Sequence, residues 1–111
     1  MRLICGIFCR DKKLTKVLNS PRLMTKEFGK DRAMRIMARL DEFDAAKNLA
    51  QIPSDSPPRC HKLQGNLQGE FAVDVSGNYR MIFEGYDKND VISTKKAEIV
   101  TVQIISIEDY H

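Results

Sequence analysis

The chain has 111 residues and a mass of 12.7 kDa, the size of one domain built around one core, so a second independently folding unit is not expected. Its 42% apolar and 30% charged content describes a globular protein in water, and no apolar run approaches the roughly 18–20 residues of a membrane span, so no membrane association is expected. The net charge of +3 conceals an asymmetry: residues 1–50 carry 12 Lys and Arg against 6 Asp and Glu, whereas residues 51–111 carry 6 against 9.

The start of the chain, rich in Leu, Ile and Phe over residues 2–8, suits a short buried strand. It lacks the long apolar core and small-residue cleavage site of a signal peptide, and the three cysteines Cys5, Cys9 and Cys60 form an odd set, so a reducing cytoplasm is the expected compartment. Over residues 11–19, Leu14, Val17 and Leu18 recur at helical spacing; Ser20 and Pro21 then close that helix and offer a cap and a first-turn proline to the next. The second helix carries Ala33, Met34, Met37, Leu40 and Phe43 as one apolar stripe, with Gly29 as a candidate break and the methionines as core filling. Between residues 10 and 39, ten Lys and Arg face only Asp11, Glu27 and Asp31. Most such runs are a solvated helix face; the functional reading is contact with a phosphate backbone or an acidic partner.

Pro53, Pro57 and Pro58 end the helical region, and strand chemistry follows. Phe71, Val73 and Val75 alternate onto one face, Ser76-Gly77-Asn78 makes a tight turn, and Tyr79, Met81 and Phe83 alternate back, which predicts a hairpin. Residues 85–98 are polar and predict a long loop, while residues 99–108 are apolar on both sides and predict a strand interior to its sheet. An N-terminal strand, two helices and a mainly antiparallel sheet of three or more strands make an α+β domain.

Glycine-rich phosphate loops, paired-cysteine metal signatures and serine nucleophile elbows do not occur in the sequence. Cys5 and Cys9 have no second pair and read as strand thiols. The two histidines are His61, in a segment with Gly65 and Gly69, and His111 at the end of Glu108-Asp109-Tyr110-His111. Taken singly, His61 is most simply a satisfied loop residue and the last two residues a frayed end. Taken together with Arg80, they supply what a metal-free ribonuclease needs: a base for a ribose 2′-OH, a cation for the phosphate oxygens and an acid for the departing 5′ oxygen.

Three segments carry a resemblance. They are Arg59-Cys60-His61-Lys62-Leu63-Gln64-Gly65, the run from Gly69 through Val73-Asp74-Val75 and Gly77-Asn78-Tyr79-Arg80-Met81-Ile82-Phe83-Glu84, and the ending Ile107-Glu108-Asp109-Tyr110-His111. Together they resemble the HigB branch of the RelE/ParE toxin superfamily, and the likeness reaches back over nearly the whole chain. The resemblance implies a toxin of a type II toxin–antitoxin pair that cleaves mRNA on the ribosome without a metal or other cofactor. It implies His61 and Asp109 as proton-transfer groups, Arg80 as phosphate clamp, Tyr110 as a stacking or positioning group and His111 as a second imidazole. Gln64 stands where the family carries a lysine, with Lys62 as the neighbouring cation.

The partners so implied are a HigA-like helix-turn-helix antitoxin, the ribosome with its mRNA, and operator DNA reached through the antitoxin. Lys12, Lys13, Lys16 and Lys62 are the expected RNA contacts. Two other classes remain open: a ParE-like toxin that inhibits gyrase by contact, and a regulatory module acting only with its antitoxin on operator DNA. Fold alone does not separate the three.

Overall fold

The computed structural model describes residues 7–55, 58–63 and 69–109. Strand β1, Ile7–Cys9, buries only Ile7, and Phe8 is 58% exposed; the rest of the predicted 2–8 strand, with Cys5, lies outside the described residues. Helix α1, Lys12–Leu18, starts where the Asp11 carboxylate accepts from the Leu14 N–H at 3.2 Å. Helix α2, Pro21–Phe28, starts in the same manner on Ser20, with Pro21 in its first turn, where a missing N–H costs nothing.

At Gly29 the break is complete, so the second predicted helix is two, and α3 runs over Lys30–Ala45. Gly29 has φ 88°, a left-handed value that a Cβ would penalise. Ala33, Ile36 and Leu40 of α3 are buried, and Met37 and Phe43 pack against them. Met34, expected on this stripe, is 57% exposed, because the stripe centres on positions 33, 36, 37 and 40 and leaves 34 on its flank. Arg39 is a second departure: it is buried, and its Nη1 donates to both carboxylate oxygens of Glu42 at 2.8 and 2.9 Å.

A short 3₁₀ turn, Leu49–Gln51, leads into the proline segment. The sheet then adds β2 (His61–Lys62), β3 (Phe71–Asp74), β4 (Tyr79–Tyr86), β5 (Ile92–Ser93) and β6 (Thr101–Asp109). Their order is β1-β6-β4-β3-β2, with β5 paired to the far end of β4. β6 pairs with β1 in parallel and with β4 antiparallel, so it is interior to the sheet, as expected of a strand apolar on both sides. The hairpin has the expected facing pairs, Phe71 with Phe83 and Val73 with Met81. The expected loop at 85–98 is partly strand: β4 runs on through Gly85 and Tyr86, which pair with Ser93 and Ile92 of β5. The Asp87 carboxylate closes the turn between them by accepting from the N–H groups of Asn89 and Val91.

The three helices cover one face of the sheet. Val17, Leu18, Met24, Ile36 and Leu40 meet Phe71, Met81, Phe83 and Ile104 there, and Phe43 sets its ring edge-on to Phe83 at 5.1 Å. Among the described residues, the other face carries a small apolar cluster of Leu63, Ala72 and Ile82 with Ile105 against it. Among the described residues no helix is long and apolar enough to cross a membrane.

Candidate functional site

Two of the predicted site residues, His61 and Arg80, share the open face, and strand register puts them there. His61 stands opposite Ala72, Ala72 opposite Ile82, and Ile82 opposite Ser106, a row that crosses four strands. Directly facing residues share a face, and Ala72 and Ile82 belong to the cluster away from the helices, so His61 lies on the open side. Two residues along β4, Arg80 stands opposite Asp74 on β3 and Glu108 on β6, and alternation gives it the same face. With strands about 4.8 Å apart and a rise of about 3.4 Å per residue, the backbones of His61 and Arg80 are roughly 12 Å apart.

His61 is half-buried, and its Nδ1 lies 2.7 Å from the carbonyl oxygen of Arg59. A carbonyl only accepts, so in this hydrogen bond Nδ1 carries the proton and Nε2 is the nitrogen left to face a substrate. Arg59 in turn donates from Nε to Asp74 Oδ2 at 2.7 Å and from Nη2 to Oδ1 at 3.1 Å. Asp74 thus stands between the fork of Arg59 and the cross-strand Arg80. Lys96, from a 3₁₀ turn at Lys96–Glu98, donates to the Cys60 carbonyl at 2.8 Å and ties down the segment next to His61. Further along the same face, Glu84 accepts from Arg10 at 2.7 Å and from the Tyr86 hydroxyl at 2.9 Å. Desolvation, then the Glu84 bond and charge, push the Tyr86 phenol up, with Arg10 opposing.

The other predicted residues are dispersed. Asp109 stands opposite Tyr79, whose ring packs on Phe28 and under the Arg32 guanidinium, so Asp109 leaves its strand on the helical side. Glu108, one residue earlier, stands on Arg80's face and accepts from the Ser106 hydroxyl at 2.8 Å. Lys62 stands opposite the core residue Phe71 and so turns away from His61. Lys12, Lys13 and Lys16 are exposed on α1, in the helical layer. Tyr110, His111 and Gln64 lie outside the described residues.

Sequence reasoning missed Arg59, Asp74 and Glu108. An aspartate between Val73 and Val75 in a strand was a usable signal, since a carboxylate there needs a partner. Arg59 gave no signal, because both its fork on Asp74, fifteen residues away, and its left-handed backbone appear only in the fold.

A family model described as the RelE-like toxin of the type II toxin–antitoxin system HigB matches residues 10–96. The chain belongs to this HigB-like toxin family. Among solved structures, the toxin is similar to the YoeB–YefM complex from Staphylococcus aureus, with 17% identity, a TM-score of 0.57 and coverage of 100% of this chain and 99% of that one. It is also similar to the YoeB/ParE toxin from Agrobacterium tumefaciens, with 7% identity, a TM-score of 0.59 and coverage of 96% and 99%. At these identities the two structures establish a shared α+β fold. No curated protein matches the toxin's sequence. The family match takes in His61 and Arg80 and stops short of Asp109.

Proposed function

We propose that the toxin is a ribosome-dependent endoribonuclease that cuts mRNA by attack of a ribose 2′-OH on the adjacent phosphorus, with no metal. A base takes the 2′-OH proton, O2′ bonds to phosphorus, and the 5′ oxygen leaves with a proton from an acid, giving a 2′,3′-cyclic phosphate and a 5′-OH. His61 acts at the proton-transfer step through Nε2, and Arg80 gathers the charge that builds on the phosphate oxygens. Tyr110 and His111 act as stacking group and second imidazole, whereas Asp109, which leaves β6 on the Tyr79 side, takes no proton-transfer step at His61.

What supports this reading is that His61 and Arg80, far apart in sequence, share the one face of the sheet that no helix covers. The partners are a cognate HigA-like helix-turn-helix antitoxin, the ribosome with its mRNA, and operator DNA reached through the antitoxin. The similar YoeB chain was itself solved as a YoeB–YefM complex. The site of action is the cytoplasm.

Brief expression in cells lacking the antitoxin, with mRNA ends mapped with and without translation, tests the reading. New ends are expected in translated messages alone, and lost in His61→Ala and Arg80→Ala. Growth arrest with messages intact overturns it and points to a contact inhibitor of gyrase.

A further inference from the structure

We propose that Arg59 is the positioning residue of His61: clamped onto Asp74 in a left-handed backbone, it turns its own carbonyl onto Nδ1 and commits Nε2 of the ring to proton transfer. This rests on the reading of His61 as a proton-transfer group. A neutral imidazole has two tautomers, and the hydrogen bond made by one nitrogen decides which is populated. With a carbonyl oxygen at 2.7 Å, Nδ1 keeps its hydrogen in both the neutral and the charged ring, so every proton exchanged with RNA passes through Nε2.

That carbonyl is where it is because Arg59 has φ 53°, a region that a residue with a Cβ occupies only where its surroundings over-determine it. The surroundings do so here. Its N–H donates to the Asp55 carbonyl at 2.8 Å, and its guanidinium grips both oxygens of Asp74. The preceding residue, Pro58, accepts from the Asp74 N–H at 2.8 Å, so backbone and side chain both dock on one residue of β3. The following residue, Cys60, donates to Pro53 and accepts from Lys96. A planar fork on a carboxylate fixes direction as well as distance, and a lysine ammonium cannot reproduce it.

The full chain labelled with ¹⁵N at histidine is the test, read by long-range ¹H–¹⁵N correlation at a pH where the rings are neutral. His61→Gln assigns the signals, since the sequence holds two histidines. The expected result is a dominant Nδ1–H tautomer for His61, falling at least about twofold in Arg59→Ala and in Arg59→Lys as the loosened ring populates both forms. Arg59→Lys keeps the charge and the aliphatic stem, and its amide spectrum reports that the fold is retained. A dominant Nε2–H tautomer in the native protein, or an unchanged tautomer in both variants, overturns the assignment. A native protein with the Nδ1–H tautomer that leaves mRNA on ribosomes uncut keeps the clamp and overturns the ribonuclease reading, so the two failures are told apart.

Discussion

Cys60 is fully buried beside the segment that carries His61, and desolvation pushes its thiol from 9.0 up to about 11, with the Lys96 ammonium pulling the other way. It is a neutral packing group at physiological pH, since the thiolate is the reactive form. Burial also makes it a handle on stability. Between about pH 9 and 11 the unfolded chain has lost this proton while the folded chain retains it, so the unfolded state binds fewer protons and stability falls as pH rises. Below the unfolded value the contribution is fully present. The slope is about 1.4 kcal/mol per pH unit. Urea unfolding of the native protein and Cys60→Ala at about pH 8 and about pH 10.5 should therefore show the native advantage shrinking by about 2 kcal/mol. An advantage that stays constant would mean that the thiol titrates alike in both states. Residue-level surprises in this chain share one cause. Arg39 is basic in type yet buried on Glu42, and Arg59 combines a fork on Asp74 with a left-handed φ, and neither arrangement can be read from the residue type alone.

Elements whose signals are local are legible. The Ser20 cap, the proline at the start of α2 and the Ser76-Gly77-Asn78 turn each act within four residues, and each is found where the sequence puts it. Short pairings are not legible. β5 contributes two residues, too few for alternation to register, and the polar run after Tyr86 reads as loop although Asp87 closes it into a hairpin. Gly85 is the hinge of this misreading. In sequence it looks like a loop glycine, yet it sits inside β4 because Ile99 needs its space. A Cβ there would fall 2.8 Å from both Cγ1 and Cγ2 of Ile99 and closer still to its Cδ1, and Ile99 is 1% exposed in the core. Gly85→Ala should cost about 1–3 kcal/mol through overpacking of a branched side chain that has no free rotamer. The urea midpoint measures it, and a midpoint equal to the native one would show that Ile99 moves aside at no cost. Gly77→Ala, with nothing within 4 Å of its Cβ position, is the control.

At the scale of the molecule the sheet has two roles, one face sealed by helices and one left open, and the site follows from register. The pairing of His61 with Ala72 and of Arg80 with Asp74 brings together residues that sequence separates, and only the likeness of short motifs hinted at it. The exit of Asp109 on the Tyr79 side is equally a matter of register, invisible in composition. Charge was legible from the start, since residues 1–50 hold twice as many Lys and Arg as Asp and Glu. The structure puts part of that excess, Lys12, Lys13 and Lys16, on α1 in the helical layer, across the sheet from His61. If the toxin acts on the ribosome as proposed, cations there would add affinity for ribosomal RNA without reading its sequence, because phosphate contacts position a protein and base contacts specify. Each phosphate neutralised steepens the dependence of log K on log salt by about 0.7–0.9. Replacing all three lysines with glutamine should therefore flatten the slope of ribosome binding by about 2–3 and weaken binding at low salt, while the cut sites in mRNA stay where they were. Cosedimentation with ribosomes over a salt series reads the first effect and end mapping the second. A slope that does not change would move the RNA contacts off α1, and shifted cut sites would make these lysines part of substrate selection.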